Sequence, residues 1–210
     1  MPEILHVIKT RRSIRKYSTR KVTKKTLNEI FEAARWAPSA HNAQPWRFVV
    51  LTESSAKMVL ADAMAKAWIK DLAKKDTSAE IAEKLAKRSI RRFAKAPIIV
   101  VACLTLLDMP KPLDEEGRKI ERDLAIQSLG AAIQNMLLAA HSRGLGACWF
   151  CAPIFCKDEV REVLRLPADF EPQALITLGY AAEKPEAPPR KLLQDILRPY
   201  PRSENSRRTE

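Results

Sequence analysis

The longest uninterrupted apolar run in the chain, residues 96–104, limits the fold more than any other feature. A helix that crosses a bilayer needs about 18–20 apolar residues, so this run is too short to span a membrane. Its β-branched, uniformly apolar composition predicts a strand that is buried on both faces. Helical patterns come before it, and helices mixed with strands follow it. This order predicts an α+β domain.

Hydrophobic periodicity predicts the other elements. The predicted helices cover residues 3–10, 54–95, 118–143 and 157–164, and one more helix follows the N-cap Thr23. The helical stretch 54–95 has a predicted break at 77–78. The predicted strands cover residues 46–51, 97–104, 146–151 and 173–178. Residues 118–143 have few polar positions in their second half, which predicts a central helix that Gly144 ends.

We expect one domain over residues 1–183 and a C-terminal arm over residues 184–210. The arm is rich in proline and charge and contains a single apolar patch, formed by Leu192, Leu193, Ile196 and Leu197. Such a segment is either disordered or laid across another subunit.

Composition excludes several classes of protein. Of the 210 residues, 46% are hydrophobic and 30% are charged, which is the balance of a globular chain rather than a disordered one. Four cysteines are too few for a disulfide scaffold, and His6 and Lys9 interrupt any N-terminal apolar stretch. We therefore expect a cytoplasmic protein with reduced thiols.

Motifs for two common cofactor sites and for a metal site are missing or incomplete. The five glycines do not form G-x-G-x-x-G, so neither a Rossmann dinucleotide site nor a P-loop is supported. Cys148, Cys151 and Cys156 form C-x₂-C-x₄-C, but no nearby fourth cysteine or histidine completes a metal site. We predict no metal and interpret these cysteines as packing residues.

The net charge of +12 is concentrated near the N-terminus, where residues 1–25 hold nine Lys/Arg against Glu3 alone. This density indicates an anionic partner: a nucleic acid, a membrane surface or a phosphorylated small molecule. Residues 54–95 carry eleven Lys/Arg against five acids. They form either a solvated helical face or, over residues 57–95, a mobile basic cover above a site. In the second case Lys70 and Lys74, one helical turn apart, would bind an anionic substrate.

Two short segments have side chains suited to a ligand. Residues 11–15, Arg-Arg-Ser-Ile-Arg, place three guanidinium groups and a hydroxyl where they could converge on a phosphate, although a solvated basic loop has the same composition. Residues 38–46, Pro-Ser-Ala-His-Asn-Ala-Gln-Pro-Trp, offer amide groups in a rigid loop that suits a heterocycle. An Asx-turn loop without a ligand is the alternative.

Together, these segments resemble the FMN-dependent nitroreductase family. The resemblance continues in Gly-Leu-Gly-Ala-Cys-Trp at 144–149 and Pro-Arg-Lys at 189–191, and it covers residues 4–197. The segments at 121–124, 127–135, 152–156 and 166–172 look more closely like a flavin-binding domain that is fused elsewhere to the glutamyl ligase of the deazaflavin coenzyme F-420. That domain is linked to the reduction of a dehydro precursor.

The resemblance implies an α+β nitroreductase-like fold with a mixed central sheet, in an intertwined homodimer with FMN at the interface. It implies that the phosphate, ribityl chain and pyrimidine edge of FMN are held by Arg11, Arg12, Ser13 and Arg15, with Arg190 returning to the phosphate. It implies that the isoalloxazine ring is contacted by Pro38, Ser39, Asn42 and Gln44, often from the partner subunit, and is closely approached by Gly146 and Ala147.

The implied activity is hydride transfer from NAD(P)H through FMN to an electron-poor acceptor, which could be a nitro compound, a quinone or a deazaflavin precursor. The flavin performs this chemistry, so no side chain is assigned as catalytic. One alternative is a deazaflavin-maturation or deazaflavin-binding protein without broad nitroreductase turnover. A basic nucleic-acid-binding module is a more remote alternative, for which the sequence contains no recognisable motif.

Overall fold

The computed structural model describes residues 3–75, 77–197 and 200. The helices are α1 (Ile4–Thr10), α2 (Lys24–Arg35), α3 (Ser54–Ala73), α4 (Ala79–Ala94), α5 (Glu115–Ser142), α6 (Lys157–Val163) and α7 (Leu193–Ile196). The strands are β1 (Trp46–Leu51), β2 (Ile98–Leu104), β3 (Gly146–Phe150) and β4 (Glu171–Gly179). The predicted α+β class is confirmed.

The four strands form one sheet in the order β1-β2-β4-β3. All its strand pairs are antiparallel. The parallel component is an isolated bridge between Ser13 and Ala147 at the free edge of β3. The predicted mixed sheet is therefore antiparallel except at this bridge, where the N-terminal segment runs along β3.

Every residue of β2 is buried, as the apolar run predicts. Ile98, Val100, Ala102 and Leu104 belong to a core cluster with α2 and α5. The intervening Ile99, Val101 and Cys103 belong to a second cluster with α3, α4 and α6. Because successive side chains of a strand point to opposite faces, these two clusters lie on opposite sides of the sheet and form a three-layer domain.

Helix α5 begins three residues before its predicted start. The Asp114 side chain accepts a hydrogen bond of 2.8 Å from the Gly117 amide and caps the first turn. At the other end, Gly144, which was predicted to end the helix, has a left-handed conformation with φ of 76°. Within the described residues, no helix is both long enough and apolar enough to cross a bilayer.

Helices α3 and α4 correspond to the predicted cover, but their inner faces are part of the second core cluster. Leu60, Met64 and Phe93 are buried there. Ser78 caps α4 by accepting a hydrogen bond from the Ile81 amide, which confirms the predicted break. The buried Lys57 connects α3 to the segment between α4 and β2, since its Nζ donates to the carbonyl oxygens of Ala96 (2.7 Å) and Pro97 (3.1 Å).

Candidate functional site

The arginine-rich segment 11–15 lies against β3. The Ile14 amide donates a 2.9 Å hydrogen bond to the Ala147 carbonyl, next to the Ser13–Ala147 bridge. Glu183 fixes the other side of the segment, because its carboxylate accepts hydrogen bonds from the amides of Arg15 (2.6 Å) and Lys16 (3.0 Å). The structure thus brings together two of the predicted ligand-binding segments, 11–15 and 146–147.

The side chains of this segment leave donors available. Nη1 of Arg12 donates to the carbonyls of Lys9 (2.7 Å) and Arg11 (2.8 Å). Nε of Arg12 is buried and has no hydrogen-bond partner among the described residues. A buried donor without a partner is costly, so this nitrogen is a natural position for a ligand acceptor.

The Cys148 thiol shows which groups converge beside β3. Burial raises the pKa of Cys148. The positive charges of Arg15, Arg92 and Arg11 oppose this rise, and so does a hydrogen bond from Ser13. The guanidinium carbons of Arg15 and Arg92 lie 6.0 Å and 5.6 Å from the centre of the Phe150 ring. Arg92, from α4, therefore shares a site with residues 11–15.

We call Arg11, Arg12, Arg15 and Arg92 the arginine cluster. Burial lowers the pKa of Arg92, and repulsion from Arg88 and Arg15 lowers it further. In the part of the chain that the structure describes, none of the four guanidinium groups forms an ion pair with a carboxylate. Arg15 and Arg92 therefore repel each other beside Phe150, and an anion bound between them would relieve that repulsion.

Arg92 was missed as an individual site residue by the sequence analysis, which placed it in the general positive charge of 57–95. It has the same residue type as its exposed neighbour Arg91, and only the pairing of α3 with α4 turns it towards β3. The only sequence signal is its position on α4, four residues after Arg88 and one before the buried Phe93. That pattern does not distinguish a ligand-facing arginine from a solvated one.

The loop at 38–45 is held in a strained conformation. His41, Asn42 and Gln44 have positive φ values of 55°, 52° and 49°. Such backbone costs about 1–3 kcal/mol per residue when the residue is not glycine, so the surrounding contacts must hold it. The Ser39 hydroxyl accepts from the Gln44 amide (3.1 Å), and the Ser128 hydroxyl of α5 accepts from the Ala40 amide (3.1 Å).

This loop lines an open cavity together with the end of α2. Pro38, Asn42 and Gln44 line it beside Trp36, whose indole nitrogen donates to Glu32 at 2.8 Å. This cavity and the arginine cluster therefore share no residue.

Three of the predicted residues have surroundings that differ from those expected for a flavin contact. A Cβ atom on Gly146 would lie 2.6 Å from the Ile14 Cβ, so glycine is needed here to let residue 14 pack. Ala147 is buried beneath the Ser13 bridge. Arg190 is exposed, and its guanidinium donates to the carbonyls of Pro188 (3.4 Å) and Pro189 (3.5 Å). A contact of these three residues with a ligand stays a prediction.

A cavity of about 340 Å³ lies between α3, α4 and the chain that follows β3. Its walls include Trp68, Asp71, Lys75, Arg92, Phe150 and Phe155. Through Arg92 and Phe150 it is continuous with the arginine cluster. Lys70 and Lys74, the predicted substrate-binding residues, are exposed, and neither lines this cavity. Among the described residues, no group of three or more His, Cys, Asp or Glu is arranged to hold a metal ion.

Comparison with known proteins identifies the family. The model of the nitroreductase family matches residues 8–180. The chain belongs to the nitroreductase family. Its relatives include a Methanothermobacter thermautotrophicus protein to which NADH dehydrogenase/NAD(P)H nitroreductase activity is ascribed, 32% identical over 186 residues that cover 87% of this chain and 80% of that protein. An Archaeoglobus fulgidus protein with the same ascribed activity is 30% identical over 188 residues, 88% of each chain.

Solved structures of similar proteins have the same fold. A BluB-like flavoprotein from Clostridium difficile superposes with a TM-score of 0.80 at 26% identity, covering 96% of this chain and all of the other. A nitroreductase-type protein from Desulfovibrio desulfuricans, solved in complex with FMN, superposes with a TM-score of 0.71 at 29% identity, covering 96% of this chain and 99% of the other. The family membership and nitroreductase-like fold expected from the sequence are confirmed.

Proposed function

We propose that this nitroreductase-family protein is an FMN-dependent oxidoreductase that transfers hydride from NAD(P)H to an electron-poor acceptor. The observation that carries the proposal is the arginine cluster: Arg11, Arg15 and Arg92 converge near Cys148 of β3, Arg12 belongs to the same segment, and none of the four has a carboxylate partner among the described residues. The FMN bound to the Desulfovibrio desulfuricans relative and the NAD(P)H activity ascribed to the archaeal relatives add support.

The residues present fit FMN chemically. Its phosphate needs several charge-assisted donors, which the guanidinium groups and the Ser13 hydroxyl can supply. The buried Nε of Arg12, which has no hydrogen-bond partner among the described residues, can donate to a phosphate oxygen. Phe150, flanked by Arg15 and Arg92, offers an aromatic surface beside those charges.

FMN, when bound, supplies the hydride acceptor and donor at its ring. The chain itself binds and orients the flavin and provides fixed positive charge. Arg15 and Arg92 would stabilise negative charge on the reduced ring, because they are already held in position before reduction. This role requires no proton transfer by a side chain, so we assign no catalytic acid or base.

We also propose that the protein acts as a homodimer. The loop of Pro38, Ser39, Asn42 and Gln44 would complete the flavin site of the partner, since it is separate from the arginine cluster of its own chain. The arm would lie on the partner, because Leu192, Leu193, Ile196 and Leu197 are each at least 60% exposed in the single chain. Residues 201–210, the end of the arm, lie outside the described residues.

The acceptor belongs to the class of nitro compounds, quinones and deazaflavins. The sequence segments that resemble the F-420 ligase-linked domain support a deazaflavin, either as a precursor to be reduced or as a bound coenzyme. Lys70 and Lys74 on α3 would then attract the anionic acceptor from solution.

The purified protein tests the flavin proposal directly. We expect it to be yellow and to lose its colour anaerobically with NADH or NADPH. Arg15→Ala and Arg92→Ala should each weaken FMN binding by about 1.5–3 kcal/mol, because each removes a charge-assisted contact. Arg91→Ala is the matched control, since Arg91 is the exposed neighbour on the same helix.

Two results would contradict the proposal. The first is a colourless protein whose ultraviolet absorbance comes from bound nucleic acid. The second is a protein whose FMN affinity, measured by fluorescence titration of the flavin-depleted form, is unchanged in both cluster variants.

A further inference from the structure

The cavity between α3 and α4 is elongated along α3. Met64, Ala67, Trp68 and Asp71 line it at spacings of three, four and seven residues, which is one face of a helix. From Met64 to Asp71 the helix rises about 10 Å. Ser89, Arg92 and Phe93 line the facing side of α4 at the same helical spacing.

The two ends of this cavity differ chemically. The inner end holds Arg92 and Phe150, which belong to the region assigned to the flavin. The outer end holds Trp68, Asp71 and Lys75 and opens to solvent, since Trp68 is 38% exposed and the Lys75 and Asp71 side chains are 65% and 40% exposed. A molecule that enters from solvent therefore passes the outer end before it reaches the flavin region.

We propose that the outer end binds the electron acceptor, and that this acceptor is a planar aromatic molecule with one anionic substituent. The inference rests on the proposed flavin function and specifies its substrate class. About 340 Å³ is the size of a pocket for a small ligand, which is large enough for a substituted single ring.

Aromatic side chains account for the planar part of this assignment. Trp68 and Phe155 both line the cavity, and both remain exposed, Phe155 at 79%. Met58 and Val59 on the same helix are also exposed, but neither of them lines the cavity, whereas Trp68 does. Exposed aromatic faces at a cavity mouth gain contact area when a flat ring packs on them.

The charges account for the anionic part. Lys75 Nζ lies 3.1 Å from the Asp71 carboxylate at the opening, and Arg92 stands further in without a carboxylate partner among the described residues. The charged residues that line the cavity are thus two cations and one acid. Lys75 can attract an anionic substituent while it remains paired with Asp71. A cationic substituent would be repelled by both Lys75 and Arg92.

Paired probes and matched variants test the assignment. The probes are 4-nitrobenzoate and the neutral 4-nitrobenzamide, whose dissociation constants from the oxidised, flavin-loaded protein are measured by calorimetry. Lys75→Met should raise the dissociation constant of 4-nitrobenzoate about fivefold, as expected for the loss of an exposed ion pair. It should leave the dissociation constant of 4-nitrobenzamide unchanged. Lys66→Met should change neither affinity, because Lys66 is an exposed lysine of the same helix that does not line the cavity.

Two further variants complete the test. Asp71→Asn should lower the dissociation constant of 4-nitrobenzoate about twofold, because Asp71 no longer competes with the probe for Lys75. Trp68→Leu should weaken both probes while the bound flavin, measured by its visible absorbance, stays constant. Equal effects of Lys75→Met on both probes, or loss of flavin from Trp68→Leu, would overturn this proposal alone. A colourless wild-type protein would overturn the flavin function and this proposal with it.

Discussion

Two glycines show how differently the same residue type is used in this chain. Gly146 lies in β3, where a Cβ atom would lie 2.6 Å from the Ile14 Cβ, and Gly130 lies inside α5, where the nearest atom would be the Trp149 ring at 3.8 Å. The first position leaves no room for a methyl group, whereas the second leaves enough. Glycine inside a helix also carries an entropic cost that alanine avoids.

Alanine substitutions should therefore have opposite effects at these two positions. We expect Gly146→Ala to lower the free energy of unfolding by about 1–3 kcal/mol through overpacking. Gly130→Ala should raise it by about 0.5–1 kcal/mol. Urea denaturation followed by circular dichroism measures both. A neutral Gly146→Ala would show that the N-terminal segment does not pack on β3 as described.

At the level of elements, Glu171 ties β4 to α5 and α6. Its carboxylate forms an ion pair with Arg122, at 2.5 Å, and another with Lys157. Burial opposes ionisation of this carboxyl group, but hydrogen bonds from Arg122 and Lys157 outweigh it and lower the pKa of Glu171 to about 2. The ionised group is therefore more favourable in the folded protein than in the unfolded chain.

The sign of the resulting pH dependence follows from that depressed pKa. The stabilisation is complete above the ordinary value of 4.5 and is lost as the pH falls towards about 2. Glu171→Gln should lower the free energy of unfolding at neutral pH by about 1–3 kcal/mol, and the difference from wild type should shrink below pH 4.5. Glu115→Gln, from an exposed pair with Lys119, is the control. A difference that stays constant with pH would contradict this assignment.

Periodicity was sufficient to predict most elements because their apolar stripes also form the core. The strand β2 and the second half of α5 are examples, with every β2 residue buried and Leu129, Ile133 and Met136 enclosed. The start of α5 was not predicted, because the Asp114 cap precedes a polar first turn. A local motif was sufficient to select residues 11–15, which the structure places against residues 146–147, and their role in binding stays a prediction. No such motif marks Arg92 and Lys75, whose positions depend on how two helices pair.

For the whole molecule, the arm is notable because each of its described residues is exposed in the single chain. Its four apolar side chains are 60–70% exposed, and α7 spans only four residues. So small a patch cannot form a core of its own, which favours packing on a second copy of the chain.

Deleting residues 184–210 should therefore weaken the dimer and release flavin together. The deletion spares Glu183, which holds the amides of Arg15 and Lys16. Light scattering gives the oligomeric state, and visible absorbance gives the flavin content. The quadruple substitution of Leu192, Leu193, Ile196 and Leu197 by serine separates the apolar patch from the length of the arm. A truncated dimer with full flavin content would refute the proposed role of the arm.

The arginine cluster has a consequence for the lifetime of the protein in a cell. Repulsion between Arg92 and Arg15 favours opening of α4 away from residues 11–15, and a tightly bound anion reverses this by mass action. At a concentration one hundred times its dissociation constant, such a ligand stabilises the folded state by about 2.7 kcal/mol. Proteases act on the open form, so molecules made when flavin is scarce should be degraded sooner than those made when it is abundant. The amount of this protein would then follow the supply of its cofactor without any change in the transcription of its gene.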